Sequence, residues 1–183
     1  EQIMHSAETA IGKFQNLDVS TRKKNIISTE KYKKKHIEDF KNSLKHKEET
    51  NLENKKILLR LDLNVPLLDG KITDTTRIDK ILPTLNFLIS QNAKIIIISH
   101  VGRPKGKVVN DLSLRPICKD LEMKLKQKIK LISKNVKEIV YKDLFVSDEE
   151  KIVMLENIRF YPEEEKNNQL FAKQLASLAD IYV

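Results

Sequence analysis

The sequence has 183 residues, of which 40% are hydrophobic, and a formal net charge of +8. That is enough for one domain with a hydrophobic core plus an extension. The longest apolar run is only strand-sized, no secretory signal pattern is recognisable, and the single cysteine, Cys118, excludes an internal disulfide. We therefore expect a protein with no membrane association, in the reducing cytoplasm, with Cys118 as a small buried hydrophobe.

The basic charge balance suits anionic partners, either nucleic acid or small phosphorylated molecules. There is no Trp, no zinc-finger spacing and no aromatic pattern of an RNA-binding module, so specific nucleic-acid binding has little support. Residues 1–51 hold 11 Lys/Arg against 8 Asp/Glu, with apolar residues at near-helical spacing between Tyr32 and Leu44. This segment is predicted to be a charged extension, either a marginal solvated helix or a disordered leader, and its acidic residues argue against a transit peptide.

From Leu52 onward, strand patterns alternate with helix patterns. Strands are predicted at residues 56–65, 94–99, 129–132, 151–155 and 181–183, with a turn at 67–70, and helices at 77–90, 112–125 and 170–179. Pro83 is expected to kink the first helix, and Ser113 to cap the second. Strands separated by helices imply crossover connections, so we predict a three-layer α/β/α fold around a parallel, Rossmann-like sheet.

The first strand carries an unusual polar face. Leu59, Leu61 and Leu63 alternate with Arg60, Asp62 and Asn64, and alternate residues of a strand share one side. Arg and Asp are rarely buried without partners. The alternatives are an outer strand with a surface ion pair and a binding surface.

Ligands of open α/β sheets bind beyond the carboxyl ends of the strands. Three predicted strands end there in polar groups, and the first helix opens with Arg77 at the same edge. The charged or imidazole residues concerned are Arg60, Arg77, His100, Arg103 and Arg159. Arginine presents a planar fork of donors that suits carboxylate and phosphate oxygens, which predicts a small ligand with several negative charges.

Other patterns support less. The Gly102–Lys107 segment departs from a nucleotide-binding loop in spacing, and it contains a Pro where backbone donors are needed. Glu163, Glu164 and Glu165 are interpreted as a solvated helix start favoured by the helix dipole. Ser99 and His100 are neighbours without an identifiable acid partner, so a hydrolase triad is unsupported. No metal-ligand motif or nucleophile elbow is recognisable.

Five segments together resemble the phosphoglycerate kinase family. They are Arg60-Leu-Asp-Leu-Asn-Val-Pro66, Asp74-Thr-Thr-Arg77-Ile, Ser99-His-Val-Gly-Arg-Pro-Lys-Gly106, Leu155-Glu-Asn-Ile-Arg-Phe-Tyr-Pro-Glu-Glu-Glu-Lys166 and Leu178-Ala-Asp-Ile-Tyr-Val183. The resemblance covers residues 52–183, which correspond to most of the family's amino-terminal, 3-phosphoglycerate-binding domain. Residues 1–51 match nothing in that family.

The resemblance implies a role for each matching residue. Asp62 and Asn64 would bind the hydroxyl and carboxylate region of the glycerate. The substrate's anionic groups would be held by His100, Arg103 and Arg159. Arg77 would be the catalytic residue, steadying the transferred phosphoryl group as well as binding substrate. Arg60 would be a structural partner that orients Asp62.

The implied reaction transfers a phosphoryl group between 1,3-bisphosphoglycerate and ADP, giving 3-phosphoglycerate and ATP with Mg²⁺. In the family a carboxyl-terminal domain binds the nucleotide and metal, and the match ends at Val183, before that domain. We therefore expect a fragment that is inactive alone, whose sheet is incomplete at the carboxyl end, from a full-length protein that is a monomer. The alternatives are a stand-alone anion-binding remnant without catalysis and a nucleic-acid-binding protein that uses the Lys-rich extension.

Overall fold

The computed structural model describes residues 51–183. The extension predicted for residues 1–51 therefore lies outside the described residues, apart from Asn51. The strands are β1 (Lys56–Arg60), β2 (Leu67–Leu68), β3 (Lys71–Ile72), β4 (Lys94–Ile98), β5 (Lys130–Ile132), β6 (Ile152–Leu155) and β7 (Ile181–Tyr182). The helices are α1 (Thr76–Ser90), α2 (Arg115–Leu125), α3 (Tyr141–Leu144), α4 (Pro162–Glu165) and α5 (Gln169–Ala176). Single 3₁₀ turns lie at Asn110–Leu112, Val136–Glu138 and Ile158–Phe160.

Five of the strands form one parallel sheet in the order β5-β6-β4-β1-β7. The first strand, β1, lies inside the sheet, paired with β4 on one side and with β7 on the other. Every pairing in this sheet is parallel, because helices or longer connections carry the chain back between strands. The predicted parallel α/β sheet is thereby confirmed.

Alternate residues of the central strands enter two separate hydrophobic clusters, one on each face of the sheet. Ile57, Ile95 and Met154 belong to the cluster that α1 and α2 cover. Leu58 and Ile96 belong to the other cluster, which α5 and the segment around α3 cover. Burial on both faces explains why these strands are continuously apolar rather than alternating. The result is the expected three-layer arrangement.

The observed β1 is shorter than the predicted strand at 56–65. Beyond Arg60 the backbone N–H of Leu61 still donates to the Ile98 carbonyl, at 3.0 Å. The next inward amide, that of Leu63, donates instead to the side-chain hydroxyl of Ser99, at 3.1 Å. The buried-exposed alternation of side chains nevertheless continues to Val65. The sequence pattern therefore reported side-chain burial correctly and the extent of backbone pairing incorrectly.

The start of α2 also differs from the prediction. Residues 110–112 form a 3₁₀ turn, and the α-helix begins at Arg115 with Leu114 as its N-cap residue. Ser113 Oγ still accepts a hydrogen bond from the Arg115 amide, at 3.1 Å. The Leu114 amide is satisfied by the carboxylate of Glu156, which follows β6, at 2.8 Å. A residue distant in sequence thus supplies part of the cap expected from Ser113.

Two local features complete the fold. Asp69 and Gly70 have positive φ angles of 49° and 70° and join β2 to β3, as a two-residue hairpin turn requires. Only the second half of the turn predicted at 67–70 is found, because Leu67 and Leu68 form strand β2. Pro83 lies inside α1 without ending it. Within residues 51–183, no helix has the length and apolar character needed to cross a membrane.

Candidate functional site

The carboxyl ends of β1, β4 and β6 lie side by side, because these strands are neighbours and parallel. The segments that follow them, residues 61–66, 99–107 and 156–160, therefore share one edge of the sheet. The first turn of α1 reaches the same edge, since Arg77 hydrogen-bonds to Asp62. All six site residues predicted from the sequence lie in these segments or in that turn.

Arg77 and Asp62 form an ion pair between the start of α1 and the segment after β1. Both side chains are well exposed, at 40% and 60% respectively. Exposed ion pairs contribute only about 0–1 kcal/mol to stability, so little free energy is needed to break this one. The guanidinium group is therefore available to an anionic ligand in exchange for Asp62.

Asn64 joins the segment after β1 to the loop after β4. Its Oδ1 accepts a hydrogen bond from the Gly102 amide, at 2.9 Å. Gly102 has a φ of +64°, and a Cβ at this position would lie 2.6 Å from Leu112 Cδ2. Only glycine fits this turn without strain. Among the described residues the Asn64 amide nitrogen has no partner, so it remains a donor.

Two buried polar residues, Ser99 and Asn157, hold these loops in place, and the sequence pattern assigned neither a role. Ser99 Oγ donates to the Leu61 carbonyl at 2.7 Å while accepting from the Leu63 amide. Asn157 is fully buried and donates to the carbonyls of Val101 and Leu112, at 2.8 and 2.9 Å. The sequence signal that could have indicated their role is their position. Ser99 directly follows the apolar strand β4, and Asn157 lies within a largely buried run after β6.

Arg159 and Arg60 converge on one carboxylate. Glu164 Oε1 accepts from Arg60 Nη2 at 2.6 Å, and Glu164 Oε2 accepts from Arg159 Nε at 3.1 Å. Two predictions are therefore wrong. Arg60 pairs with Glu164 rather than orienting Asp62, because Asp62 is taken by Arg77. Glu164 is not a solvated residue of a helix start, because its side chain is only 7% exposed.

His100 is neutral at pH 7. Burial, together with the nearby positive charges of Arg159, Arg60 and Arg77, lowers its pKa from 6.5 to about 4, against the opposing effect of the Glu164 carboxylate. In the free chain this imidazole therefore offers a hydrogen-bond donor and acceptor rather than a cation. A bound anion would favour its protonation.

Arg103 is exposed and, within the described part of the chain, makes no ion pair. Two concavities lie away from the carboxyl edge of the sheet. One of about 480 Å³ is lined by Asn54, Lys94, Tyr141, Asp148 and Lys151, at the opposite edge, and one of about 320 Å³ is lined by Glu122, Met123, Lys126, Gln127 and Lys128. Donor chemistry rather than concavity therefore locates the candidate site.

Comparison with known proteins accounts for this arrangement. A family model described as phosphoglycerate kinase matches residues 47–183, about three quarters of the chain, so the match begins five residues before the start expected at Leu52. This chain belongs to the phosphoglycerate kinase family. The phosphoglycerate kinases of Wolbachia pipientis wMel and Moorella thermoacetica are 52% and 46% identical to it, over 136 and 132 residues.

Solved phosphoglycerate kinase structures share the fold. The enzyme from Coxiella burnetii matches with a TM-score of 0.65 and 39% identity, over 73% of this chain and 33% of that one. The enzyme from Pyrococcus horikoshii OT3 matches with a TM-score of 0.63 and 29% identity, over 74% of this chain and 35% of that one. The Wolbachia and Moorella alignments cover 74% and 72% of this chain, and 34% of each relative. The chain thus spans about a third of the length of the curated relatives it matches.

The phosphoglycerate kinase family implies nucleotide and Mg²⁺ use in general. Within residues 51–183, no group of three or more His, Cys, Asp or Glu side chains is placed to hold a metal ion. The described residues therefore do not fit a metal, and no step at this edge is assigned to one.

Proposed function

We propose that this chain carries the 3-phosphoglycerate-binding part of a phosphoglycerate kinase. The parent enzyme would transfer a phosphoryl group between 1,3-bisphosphoglycerate and ADP, giving 3-phosphoglycerate and ATP. Residues 52–183 would be most of the amino-terminal domain, with residues 1–51 as an extension. The observation that carries the proposal is the convergence of arginine, histidine and amide donors at the carboxyl edge of the sheet.

Arg77 and Asp62 form the part of the site that changes on binding. An incoming phosphoryl or carboxylate group replaces Asp62 at the Arg77 guanidinium, at little cost because the pair is exposed. The released Asp62 carboxylate accepts a hydrogen bond from the glycerate hydroxyl. Arg77 then neutralises charge on the equatorial oxygens of the transferred group, the main demand of phosphoryl transfer.

The remaining donors hold the substrate. The Asn64 side chain is fixed through its oxygen by Gly102, which directs its free amide nitrogen to the glycerate carboxylate. Arg103, with no ion pair among residues 51–183, meets an anionic oxygen without first losing a partner. Arg159 and His100 complete the set, and substrate charge favours the protonated imidazole.

Catalysis itself is proposed to need a nucleotide, with Mg²⁺, bound by residues other than those described. The described edge supplies positioning and charge stabilisation without a nucleophile, as phosphoryl transfer requires. This chain alone is accordingly proposed to bind 3-phosphoglycerate without turning it over. We also propose that the parent enzyme is a monomer of the reducing cytoplasm, a compartment that keeps a thiol such as that of Cys118 free. Cys118 is buried, as expected.

The test is calorimetric titration of the 183-residue chain with 3-phosphoglycerate. Arg77→Ala and Arg103→Ala should each weaken binding by about 10- to 100-fold, as expected for a charge-assisted hydrogen bond. The matched control is Lys128→Ala, which removes one exposed positive charge just before β5, at the opposite edge. It should change affinity by less than about twofold. Unchanged affinity in both arginine variants would contradict the site assignment.

A further inference from the structure

Helix α4, which follows the segment after β6, contains a carboxylate, Glu164, that was not predicted as a site residue and yet binds one, Arg159. Glu164 lies in α4, and its two oxygens each bind a different arginine, Arg60 and Arg159. Arg60 ends β1 and Arg159 follows β6, two strands separated by β4. One buried carboxylate therefore bridges two of the strand ends that form the candidate site.

The contact between Arg159 and Glu164 determines which N–H groups of the guanidinium remain available to a ligand. Glu164 takes the Nε–H, while Glu165 Oε1 lies 3.8 Å from the same nitrogen. Among the described residues, the two Nη groups of Arg159 have no partner. An arginine whose Nε is fixed by a carboxylate presents a rigid planar fork, so little rotamer entropy is lost when an anion binds.

The helix that carries Glu164 is itself fixed to the site. Gly106, in the loop after β4, lies so close to Pro162 that a Cβ there would be 2.8 Å from the proline Cβ. The carboxylate is therefore held by packing as well as by its arginines, as a support for a binding group must be.

We propose that Glu164 is a positioning residue for substrate binding: it fixes Arg159, and through Arg60 the end of β1, in the orientation that receives the anionic substrate. This role rests on the proposed function. It is not catalytic, since Glu164 acts only through the two arginines. Nothing in the local sequence indicates it, because Arg60 lies 104 residues away along the chain.

The sign of one measurement separates positioning from simple electrostatics. Glu164 is negative, so by charge alone its removal should strengthen the binding of an anion. Positioning predicts the reverse, because an unfixed Arg159 guanidinium must be ordered by the ligand. Glu164→Gln keeps the shape and removes the charge. Glu163→Gln removes the same charge one residue earlier, where the partner is Lys137 rather than a site arginine.

The experiment uses the whole 183-residue chain and 3-phosphoglycerate as the probe. Calorimetry should show Glu164→Gln binding at least about tenfold more weakly than the unsubstituted chain, and Glu163→Gln within about twofold of it. Equal or tighter binding by Glu164→Gln overturns the positioning role and leaves the proposed function intact. An unsubstituted chain that does not bind 3-phosphoglycerate overturns both.

A spectroscopic measurement tests the same point without ligand. A hydrogen bond to a carboxylate moves the Nε–H signal of an arginine downfield and slows its exchange with water. In the unsubstituted chain the Nε–H of Arg159 should exchange more slowly than that of Arg103, and in Glu164→Gln the difference should vanish. Equal exchange of the two arginines in the unsubstituted chain overturns the proposal even if the variant fails to fold.

Discussion

Replacing Asn157 with alanine should destabilise the chain more than any exposed asparagine replacement. Asn157 is fully buried and makes three side-chain hydrogen bonds: it donates to Val101 and Leu112 and accepts from the Arg159 amide, at 3.1 Å. Alanine removes all three. It leaves two carbonyls and one amide without their partner at the point where the β4 and β6 loops meet.

The expected loss of unfolding free energy depends on how well water can replace Asn157 at each group that loses its hydrogen bond. The Val101 carbonyl is buried with its bond, and an unsatisfied buried group costs about 1–3 kcal/mol. The bonds to Leu112 and from the Arg159 amide are partly buried, so water offsets part of their loss. Together these contributions give about 3 kcal/mol, a large part of the 5–15 kcal/mol that is typical of a folded domain.

The assay is urea unfolding followed by circular dichroism. The matched control is Asn168→Ala, which removes one exposed side-chain cap, the 3.0 Å bond from the Phe171 amide at the start of α5. That change should cost about 1 kcal/mol. If Asn157→Ala costs no more than its control, the reasoning that this side chain joins the two loops is refuted. Weakened 3-phosphoglycerate binding in Asn157→Ala would show that the join also shapes the site.

Three further outcomes can be measured in the same way. Gly102→Ala should be up to about 1 kcal/mol more destabilising than Gly70→Ala, because both glycines have positive φ but only at Gly102 must a neighbour, the end of the Leu112 side chain, shift to admit the added Cβ. Asp62→Ala should change the free energy of unfolding by less than about 1 kcal/mol, since its ion pair is exposed. The folded chain keeps His100 neutral down to about pH 4, whereas the unfolded chain protonates it near 6.5. Stability from this group is therefore present above pH 6.5 and lost as the pH falls towards 4, and His100→Gln should flatten that slope.

Each of these outcomes has a contrary result. Equal unfolding midpoints for the two glycine variants would contradict the close approach at Leu112. A large loss in Asp62→Ala would mean that its ion pair supports the fold rather than standing ready for exchange. If the slope of stability between pH 6.5 and 4 is the same in His100→Gln, groups other than this imidazole cause it.

Strand positions were predictable from the sequence because burial on both faces leaves a simple signature. Residues 95–98 are four isoleucines, and all are buried. The extent of β1 was not predictable, because side chains alternate to Val65 whether the backbone bonds to a neighbouring strand or to the hydroxyl of Ser99. A pattern of side chains reports which face is covered, and it carries no information on where backbone pairing ends.

The candidate site was predictable as a set of residues but not as a set of contacts. Parallel strands bring their carboxyl ends to one edge, so Arg77, His100 and Arg159 were expected together. The carboxylate that pairs with each arginine depends on the distances in space between elements that are far apart in the chain. Arg60 was assigned to Asp62, two residues away, whereas it binds Glu164, which is 104 residues away in the sequence.

The place of β1 inside the sheet has a consequence during synthesis. Among the described strands of the sheet it is the first to leave the ribosome and its partner β7 is the last. A hydrogen bond from the Lys56 amide to the Asp180 side chain, 124 residues later, joins their starts. At about 5–20 residues per second, one side of β1 lacks its partner for roughly 6–25 s. An unpaired strand edge is a template on which another chain can pair. Lys55, Lys56 and Arg60 lie at the two ends of β1. Their like charges would repel each other if the unpaired strands of two chains met, which opposes such pairing.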